Sequence, residues 1–302
     1  MTQPLYLKAY GKVNLGLDVI RRREDGYHEV RMIMQTVKLY DRIILERNHS
    51  GRITLRTNLP YLPVNEKNLV YRAIDIIRRE YGITDGVSAS IIKRIPVAAG
   101  MAGGSTDAAA AFVGMNQLFA LNITQEKLME YGVSLGADIP YCIMRGTALS
   151  EGIGEILTPL PPVPSCWFLI VKPGFSMSTK FVYEHLTLDA QTKHPDIDGM
   201  IDALNRQDLT GVTDRLGNVL EQVTKQHFPA IDELKAIMLQ NGALGSLMSG
   251  SGPTVFGIFP SREQAEQATR ACRKHPAVRQ TSVVRPFNKT VHTKSAAHHA
   301  YM

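Results

Sequence analysis

The chain contains 302 residues, of which 44% are hydrophobic and 21% charged, and its formal net charge is +6. These values are typical of globular proteins, and the length allows two ordinary domains or one large domain with a buried core. The basic residues are dispersed and the cluster RRRED at residues 21–25 contains its own acids, so charge alone identifies no partner.

The N-terminal segment MTQPLYLKAY lacks the apolar stretch of a signal peptide, and no apolar run approaches the roughly 18 residues of a spanning helix. No basic helix with interleaved aromatic residues suggests nucleic acid. We therefore expect a cytoplasmic protein with neither a membrane nor a nucleic-acid partner. Cys142, Cys166 and Cys272 are far apart and form no C-x-x-C pair. We expect buried or incidental thiols rather than a disulfide framework or a zinc site.

In the first half of the chain, apolar residues at positions 13, 15, 17 and 19 alternate with polar or small residues at 12, 14, 16 and 18. This pattern predicts a half-buried strand with a polar face. An Asp25-Gly26 turn follows, and one or two strands return over 33–47. The patterns then predict a strand at 51–58, a helix at 68–82, a strand at 86–96 and helices at 106–121 and 124–136.

The second half begins after PLPPVPS at 159–165, where four prolines mark a domain boundary. Beyond it we predict a strand at 166–173 and helices near 178–186, 196–205 and 208–224. A helix at 228–243, a strand–turn–strand at 245–259, a helix at 261–274 and a strand at 280–286 complete the pattern. Strands that alternate with helices in this way are typical of α+β sandwiches.

The segment IPVAAGMAGGSTDAAAAF at 95–112 is a glycine-rich loop that leads into a helix. Small residues let backbone N–H groups approach a phosphate closely, and a helix N-terminus attracts an anion. Ser105, Thr106 and Asp107 favour an N-cap for that helix. The alternative is a tight turn that merely packs a helix on a sheet, but the run of small residues before a capped helix favours a phosphate site.

Two further segments carry candidate catalytic residues. In YGKVNLGL, at 10–17, Lys12 lies beside Asn14 on the polar face of the first strand, although most strand lysines only solvate an edge. In LGADIPYC, at 135–142, Asp138 is flanked by apolar residues, and a carboxylate in that setting needs a partner. A neighbouring lysine would keep Asp138 ionised and able to accept a proton from a substrate hydroxyl.

Taken together, PVAAGMAGGSTDAAA, YGKVNLGL and LMSGSGPTVFGIF resemble the three signature regions of the GHMP kinase superfamily. The resemblance implies an α+β protein with the two-domain GHMP kinase fold and kinase activity on a small alcohol. Its parts would be an N-terminal ribosomal-protein-S5-domain-2-like domain at 1–161 and a C-terminal ferredoxin-like α/β sandwich at 162–288. A small, polar tail at 289–302 is expected to be disordered.

Finer features, DGYHE with GADIP, resemble the branch of this superfamily whose substrate is 4-diphosphocytidyl-2-C-methyl-D-erythritol. By that resemblance Asp138 is the general base and Lys12 stabilises the developing charge. ATP with Mg²⁺ is the implied phosphate donor, and the metal is held mainly by phosphate oxygens and water rather than by a protein metal site. The implied ATP-binding residues are Asn68, Lys93, Pro96, Val97, Ala98, Ala99, Gly100, Met101, Ala102, Gly103, Gly104, Ser105 and Thr106.

The resemblance also implies that Tyr27 stacks on cytosine, His28 hydrogen-bonds its edge, and Tyr183 closes the sandwich with Thr179 nearby. Asn14 is assigned to the substrate. Without the resemblance, Tyr27 and His28 would be ordinary hairpin surface. We expect Asp107 to be structural or substrate-orienting rather than a metal ligand, and SGSGPT at 249–254 to line the diphosphate side and support the ATP loop.

Two alternatives stay open at this point. One is another enzyme on the same scaffold, either a kinase for a different alcohol or a decarboxylase for mevalonate diphosphate. The other is a non-catalytic nucleotide-binding derivative. The tyrosine–histidine pair disfavours the decarboxylase, and the presence of both Lys12 and Asp138 disfavours the non-catalytic protein.

Overall fold

The computed structural model describes residues 3–288, so the tail predicted at 289–302 lies outside the described residues. Within the described part, helices pack against two sheets. The first sheet has the order β3-β4-β2-β1-β8, and β5 pairs with both β2 and β6. Its strands are β1 (Leu5–Arg22), β2 (His28–Asn48), β3 (Ile53–Thr57), β4 (Gly86–Ile92), β5 (Thr147–Glu151), β6 (Ile156–Leu160) and β8 (Gly217–Asn218).

Four helices of the first half contribute to the largest apolar core, together with this sheet. They are α1 (Leu69–Glu80), α2 (Gly103–Leu118), α3 (Gln125–Val133) and α4 (Asp138–Met144). Three of them were predicted from the sequence, but α4 was not: seven residues are too few for a helical period to stand out from the apolar run around Pro140.

The second sheet has the order β11-β7-β10-β9. Its strands are β7 (Trp167–Pro173), β9 (Gly245–Met248), β10 (Val255–Phe259) and β11 (Val278–Val284). The helices of this half are α5 (Thr179–Glu184), α6 (Ile197–Asn205), α7 (Leu209–Thr213), α8 (Glu221–His227), α9 (Ala230–Gln240) and α10 (Arg262–Cys272). Apolar residues of α9 and α10 form a separate core against one face of this sheet.

The predicted helix at 208–224 is wrong. The chain forms α7, then the short strand β8, then α8. Gly217 and Asn218 pair in parallel with β1, and Asn218 Nδ2 donates to the carbonyl oxygens of Met248 and Gly250, both at 2.8 Å. These pairings between distant parts of the chain override the local helical pattern.

The prediction of one uniform apolar face on β1 is also wrong. Register shifts occur between Tyr10 and Lys12 and between Asn14 and Gly16, and each such bulge changes which side successive residues face. Residues 13 and 15 therefore contact the core between the sheets, whereas residues 17 and 19 belong to the helix-covered core. The polar positions are buried rather than solvated, since Lys12, Asn14 and Asp18 are no more than 7% exposed.

The two halves share the core between the sheets. Val13 and Ile33 of the first sheet and Phe168 and Phe256 of the second belong to the same apolar cluster. The division at residues 161 and 162 remains a prediction, since the chain after residue 162 also supplies β8 to the first sheet. All three cysteines are buried and outside any disulfide, which confirms the prediction of buried thiols.

Candidate active site

A large cleft opens between the first sheet, the glycine-rich loop and the segment that carries α5. It has a volume of about 1040 Å³ and is lined by residues of all three predicted signature regions. Of the predicted site residues, the cleft lining contains Lys12, Tyr27, His28, Ala98, Ala99, Gly100, Ala102, Gly103, Gly104, Ser105, Asp138, Thr179 and Tyr183.

The glycine-rich loop adopts three left-handed backbone conformations in quick succession. Ala98, Gly100 and Ala102 have φ of 49°, 72° and 55°, and the two alanines accept a conformation that L-residues other than glycine seldom adopt. Ala102 is the residue that precedes α2, and no side chain caps the helix there. The first N–H groups of α2 are therefore open at the wall of the cleft, where the positive end of the helix favours an anion.

The expected N-cap by Ser105, Thr106 or Asp107 is thus wrong, because the left-handed turn starts α2 at Gly103. Thr106 Oγ1 instead donates to the carbonyl oxygen of Tyr10 at 2.7 Å and ties the helix to β1. Asp107 lies in the first turns of the helix, buried and turned away from the solvent.

A buried triad of Asp41, Lys93 and Asp107 fixes both ends of the loop. Lys93 Nζ donates to Asp41 Oδ2 at 2.5 Å and to Asp107 Oδ2 at 2.7 Å. Asp41 Oδ1 accepts the backbone N–H groups of Arg94 and Ile95 at 2.5 and 2.8 Å. Burial raises the pKa of Asp107 well above its ordinary value, although Lys93 opposes the shift. Asp107 Oδ1 has no hydrogen-bond partner among the described residues.

The loop after β9 supports the glycine-rich loop from the other side. The hydroxyl of Ser249 donates to the carbonyl oxygen of Gly100 at 2.9 Å and accepts the N–H of Asn14 at 3.3 Å. A Cβ atom on Gly100 would lie 2.0 Å from the carbonyl oxygen of Ser249. Only glycine allows the two loops to approach so closely, and this contact sets the position of the glycine-rich loop against β1.

Lys12 and Asp138 line the same cleft but do not touch. Lys12 Nζ donates to Asn14 Oδ1 at 2.6 Å. Among residues 3–288, no ion pair within 4.0 Å includes either Lys12 or Asp138. Asp138 is the first residue of α4 and Lys12 follows a bulge of β1. A ligand in this cleft can therefore meet both a carboxylate and an ammonium that do not neutralise each other in an ion pair.

His28 and Tyr183, which line the same cleft, form a ring pair. Their centroids are 5.0 Å apart with an interplanar angle of 36°. Burial lowers the pKa of His28, and the nearby Arg22 guanidinium lowers it further. Tyr27 is 60% exposed and follows the Asp25-Gly26 turn, in which Asp25 Oδ1 accepts the N–H of Tyr27 at 3.0 Å. Thr179 and Ser251 share a hydroxyl–hydroxyl hydrogen bond of 2.8 Å across the cleft wall.

Several predicted site residues lie outside the cleft lining. Met101 and Thr106 are buried behind the loop, and Asn14 lies behind Lys12 with no exposed surface. Asn68 caps α1 by accepting the N–H of Val70 at 2.9 Å. Lys93 directs its ammonium to the two carboxylates of the triad. Pro96 and Val97 belong to the segment that leads into the loop, but neither lines the cleft.

Sequence reasoning missed two residues that hold the loops in place, Asp41 and Asn218, which act through hydrogen bonds to distant backbone groups. Ser249 belongs to SGSGPT, the segment expected to support the ATP loop, and its hydrogen bond to Gly100 agrees with that expectation. No local pattern in the sequence points to Asp41 or Asn218. Asp41 accepts the N–H of Arg94, 53 residues away, and Asn218 donates to Met248 and Gly250, which are 30 and 32 residues away.

In the part of the chain that the structure describes, no three His, Cys, Asp or Glu side chains are grouped closely enough to hold a metal ion. In the same part, no helix combines the length and apolar character needed to cross a membrane.

Two family models match the chain: GHMP kinases N terminal domain over residues 68–146 and GHMP kinases C terminal over residues 193–278. A protein of Lachnoclostridium phytofermentans called 4-diphosphocytidyl-2-C-methyl-D-erythritol kinase is 56% identical over 281 residues, which cover 93% of this chain and 97% of the relative. A relative of the same name from Lachnospira eligens is 55% identical over 272 residues, which cover 90% of this chain and 93% of the relative.

The fold is also similar to a crystal structure of 4-(cytidine 5'-diphospho)-2C-methyl-D-erythritol kinase. The TM-score is 0.81 with 32% sequence identity, and the match covers 94% of this chain and 100% of that one.

Proposed function

We propose a division of roles among the residues of the cleft, from the premise that the chain belongs to the 4-diphosphocytidyl-2-C-methyl-D-erythritol kinase family of GHMP kinases. Enzymes of this family are small-molecule kinases. The chain transfers the γ-phosphoryl group of ATP to the 2-hydroxyl of 4-diphosphocytidyl-2-C-methyl-D-erythritol, in the non-mevalonate route to isoprenoid precursors. The roles of individual residues below are our proposal.

One observation carries the proposal: a separated carboxylate and ammonium face the same cleft as an uncapped helix N-terminus. In phosphoryl transfer the protein mainly positions the reactants and stabilises charge, and little covalent chemistry is needed. Asp138 accepts the proton of the substrate hydroxyl as that oxygen bonds to the γ-phosphorus and the bond from phosphorus to the ADP oxygen breaks. Lys12 stabilises the charge that develops on the transferred group.

The glycine-rich loop holds the phosphates of ATP. Its left-handed turns at Ala98, Gly100 and Ala102 direct small residues and backbone N–H groups toward the cleft, and the open start of α2 adds the positive end of the helix. Mg²⁺ fits this site as an ion that enters with the nucleotide, since it prefers phosphate oxygens and water to a protein cage. When bound, it neutralises phosphate charge.

The ring pair of His28 and Tyr183 binds the cytosine end of the substrate, with Tyr27 as a second aromatic surface from the hairpin. Stacking of a base on an aromatic side chain contributes roughly 1–3 kcal/mol. The lowered pKa of His28 keeps its ring neutral at pH 7, so one ring nitrogen can donate to the base and the other can accept. We place the reaction in the cytoplasm, where ATP is available, with this small molecule as the partner and no nucleic acid.

The two alternatives differ from this proposal in their products. A decarboxylase would release CO₂, and a non-catalytic protein would bind ligands without turnover. Relatives at 55–56% identity that cover at least nine tenths of the chain are called kinases, which supports the kinase over both.

The direct test is incubation of the purified protein with ATP, Mg²⁺ and the cytidine-diphosphate substrate. We expect ADP release and a new phosphomonoester signal on the tertiary carbon of the methylerythritol unit by phosphorus NMR. Phosphorylation of a different small alcohol, with none on this substrate, would keep the superfamily assignment and reject the proposed specificity.

The role of Asp138 is tested by Asp138→Asn, which removes the base and keeps the shape of the side chain. We expect kcat to fall by at least about 10²-fold, with the affinities for ATP and substrate nearly unchanged. Asp75→Asn is the matched control, because Asp75 pairs with Arg79 on α1 and does not line the cleft. Full turnover by the Asp138→Asn variant would reject Asp138 as the base.

A further inference from the structure

Three consecutive arginines, Arg21, Arg22 and Arg23, lie at the end of β1, whose last residue is Arg22, and the structure separates their roles. Arg21 pairs with Glu29 at 2.6 Å and Arg23 pairs with Asp25 at 2.9 Å. Arg22 forms no ion pair within 4.0 Å among residues 3–288, and it is the only one of the three that lines the cleft. Glu29 and Asp25 therefore pair with the two outer arginines, and among the described residues the middle one has no acidic partner.

The position of Arg22 is fixed by strand pairing. Arg22 lies directly opposite His28 in the β1–β2 ladder, and its charge lowers the pKa of the His28 ring. Arg22 is therefore next to the ring that we assign to the cytosine end of the substrate.

A second cation lies on the helix that also carries Tyr183. Lys180 is three residues before Tyr183 on α5 and also lines the cleft, so the two side chains are neighbours on one helix face. The side chain of Lys180 is 84% exposed, and its contact with Glu184, another lining residue, is 3.7 Å long. Such an exposed pair is weak, so a stronger anion can take the place of Glu184.

We propose that Arg22 and Lys180 flank the His28–Tyr183 ring pair in order to bind the diphosphate of the nucleotide-linked substrate. This inference rests on the proposed function. The diphosphate joins the cytidine to the alcohol, so it lies next to the base that the ring pair binds and before the hydroxyl that Asp138 deprotonates. Arg22 makes the larger contribution, because no carboxylate pairs with it among the described residues and a guanidinium can bind two phosphate oxygens at once.

The two cations also explain how the enzyme can prefer a phosphorylated cytidine ligand to cytidine itself. Cytidine alone can stack on the rings, but only a ligand with phosphates attached to the nucleoside gains from the charges beside them. Discrimination between phosphorylated and unphosphorylated cytidine ligands therefore depends on Arg22 and Lys180 rather than on the aromatic residues.

The test compares cytidine and CDP as inhibitors competitive with the substrate, in the full-length enzyme. For Arg22→Ala we expect the inhibition constant of CDP to rise about five- to tenfold and that of cytidine to stay constant, as for loss of one partly exposed charge contact. For Lys180→Ala we expect a smaller rise for CDP, about two- to threefold. The KM for ATP should not change in either variant.

Arg21→Ala is the matched control, because it removes the adjacent arginine, which faces Glu29 and not the cleft. We expect it to leave both inhibition constants unchanged. Arg22→Lys should recover part of the CDP affinity, and added salt should reduce the difference between wild type and Arg22→Ala. An equal loss for cytidine and CDP, or an unchanged CDP constant in Arg22→Ala, would overturn the proposal. Failure of the wild type to phosphorylate the substrate would instead reject the proposed function, and the inhibitor comparison does not depend on that reaction.

Discussion

Lys12 is a buried cation held by an amide. Its ammonium donates to Asn14 Oδ1 at 2.6 Å, and Asn14 is in turn fixed to Ser249 through its backbone N–H. A carboxylate in place of Asn14 would fix the lysine equally well but would cancel its charge. The amide orients the ammonium without cancelling its charge, which suits the role that we propose for Lys12 beside the transferred phosphoryl group.

We propose that Tyr183 contacts the cytosine base with the face of its ring and not with an ionised hydroxyl oxygen. Burial raises its pKa well above the usual value, so the hydroxyl stays protonated at all working pH values. We predict that Tyr183→Ala raises the KM for the cytidine-diphosphate substrate by about tenfold, because the base loses a stacking surface, and that kcat and the KM for ATP change little. Tyr183→Phe should behave like wild type in the same steady-state measurements. A tenfold effect in Tyr183→Phe would show that the hydroxyl, and not the ring face, makes the contact.

The glycine-rich loop is held in place by a close contact between its own backbone at Gly100 and the backbone of the loop after β9 at Ser249. We predict that Gly100→Ala lowers the free energy of unfolding by roughly 1–3 kcal/mol, because the new methyl group would lie 2.0 Å from the carbonyl oxygen of Ser249 and the backbone φ is +72°. The affinity for ATP should also fall as the loop moves.

Gly104→Ala is the control for that stability measurement by urea denaturation. Gly104 is helical, and a Cβ atom there would meet only Leu69 Cδ1, at 3.6 Å. We expect no loss of stability, since alanine favours a helix. Equal losses in the two variants would show that the contact with Ser249 is not what restricts Gly100.

The Asp41–Lys93–Asp107 triad predicts a dependence of stability on pH. Burial raises the pKa of Asp107 in the folded state, so between the ordinary carboxyl pKa and the raised value the unfolded state releases a proton that the folded state keeps. The stabilising effect of that proton is complete below the ordinary pKa and is lost as the pH rises through the raised pKa. We predict that Asp107→Asn gains stability relative to wild type as the pH rises through this window, by about 1.4 kcal/mol per pH unit.

The measurement is urea denaturation of both proteins at a series of pH values from 5 to 8. The amide of the Asp107→Asn variant does not titrate, so Lys93 and Asp41 would form a neutral pair, and the slope that belongs to Asp107 should disappear. Stability curves that run parallel for the two proteins would mean that Asp107 is ionised in the folded state throughout this range.

The sequence predicts the elements well wherever their patterns are local. The helices that became α1, α3, α9 and α10 have regular apolar spacing, and the structure contains all of them. The failures occur where distant backbone groups decide the structure. The bulges of β1 depend on pairing with β2, the end of α7 depends on the pairing of Gly217 with Gly16, and the start of α2 depends on the left-handed turn at Ala102.

The same distinction applies to the site. Lys12, Asp138, His28 and the glycine-rich loop were all predicted from motifs, and the structure places them around one cleft. Support of the loop by SGSGPT was expected, but the individual contacts were not, because Ser249 and Gly100 are 149 residues apart in the chain.

For the molecule as a whole, the shared core makes the two halves interdependent. We predict that neither residues 1–161 nor residues 162–302, when produced alone, unfolds in a cooperative thermal transition. Each half would expose its side of the cluster that joins Val13 and Ile33 to Phe168 and Phe256, and β1 would lose its pairing with β8. Calorimetry of each half and of the full chain measures this directly. A cooperative transition in the isolated first half would mean that the core between the sheets is dispensable for its folding.

The burial of all three cysteines makes this enzyme suitable for site-specific labelling with fluorescent dyes. The thiolate is the form that reacts with maleimide dyes, and burial raises the pKa of Cys166 to about 12 and that of Cys272 to about 11; it raises that of Cys142 as well. We therefore expect the native chain to react only slowly with such dyes at neutral pH. A pair of cysteines introduced by Glu24→Cys on the hairpin and Thr187→Cys just after α5, two exposed positions that do not line the cleft, would accept a donor and an acceptor fluorophore without replacement of any native cysteine. Energy transfer between them would then follow the width of the cleft during each catalytic cycle.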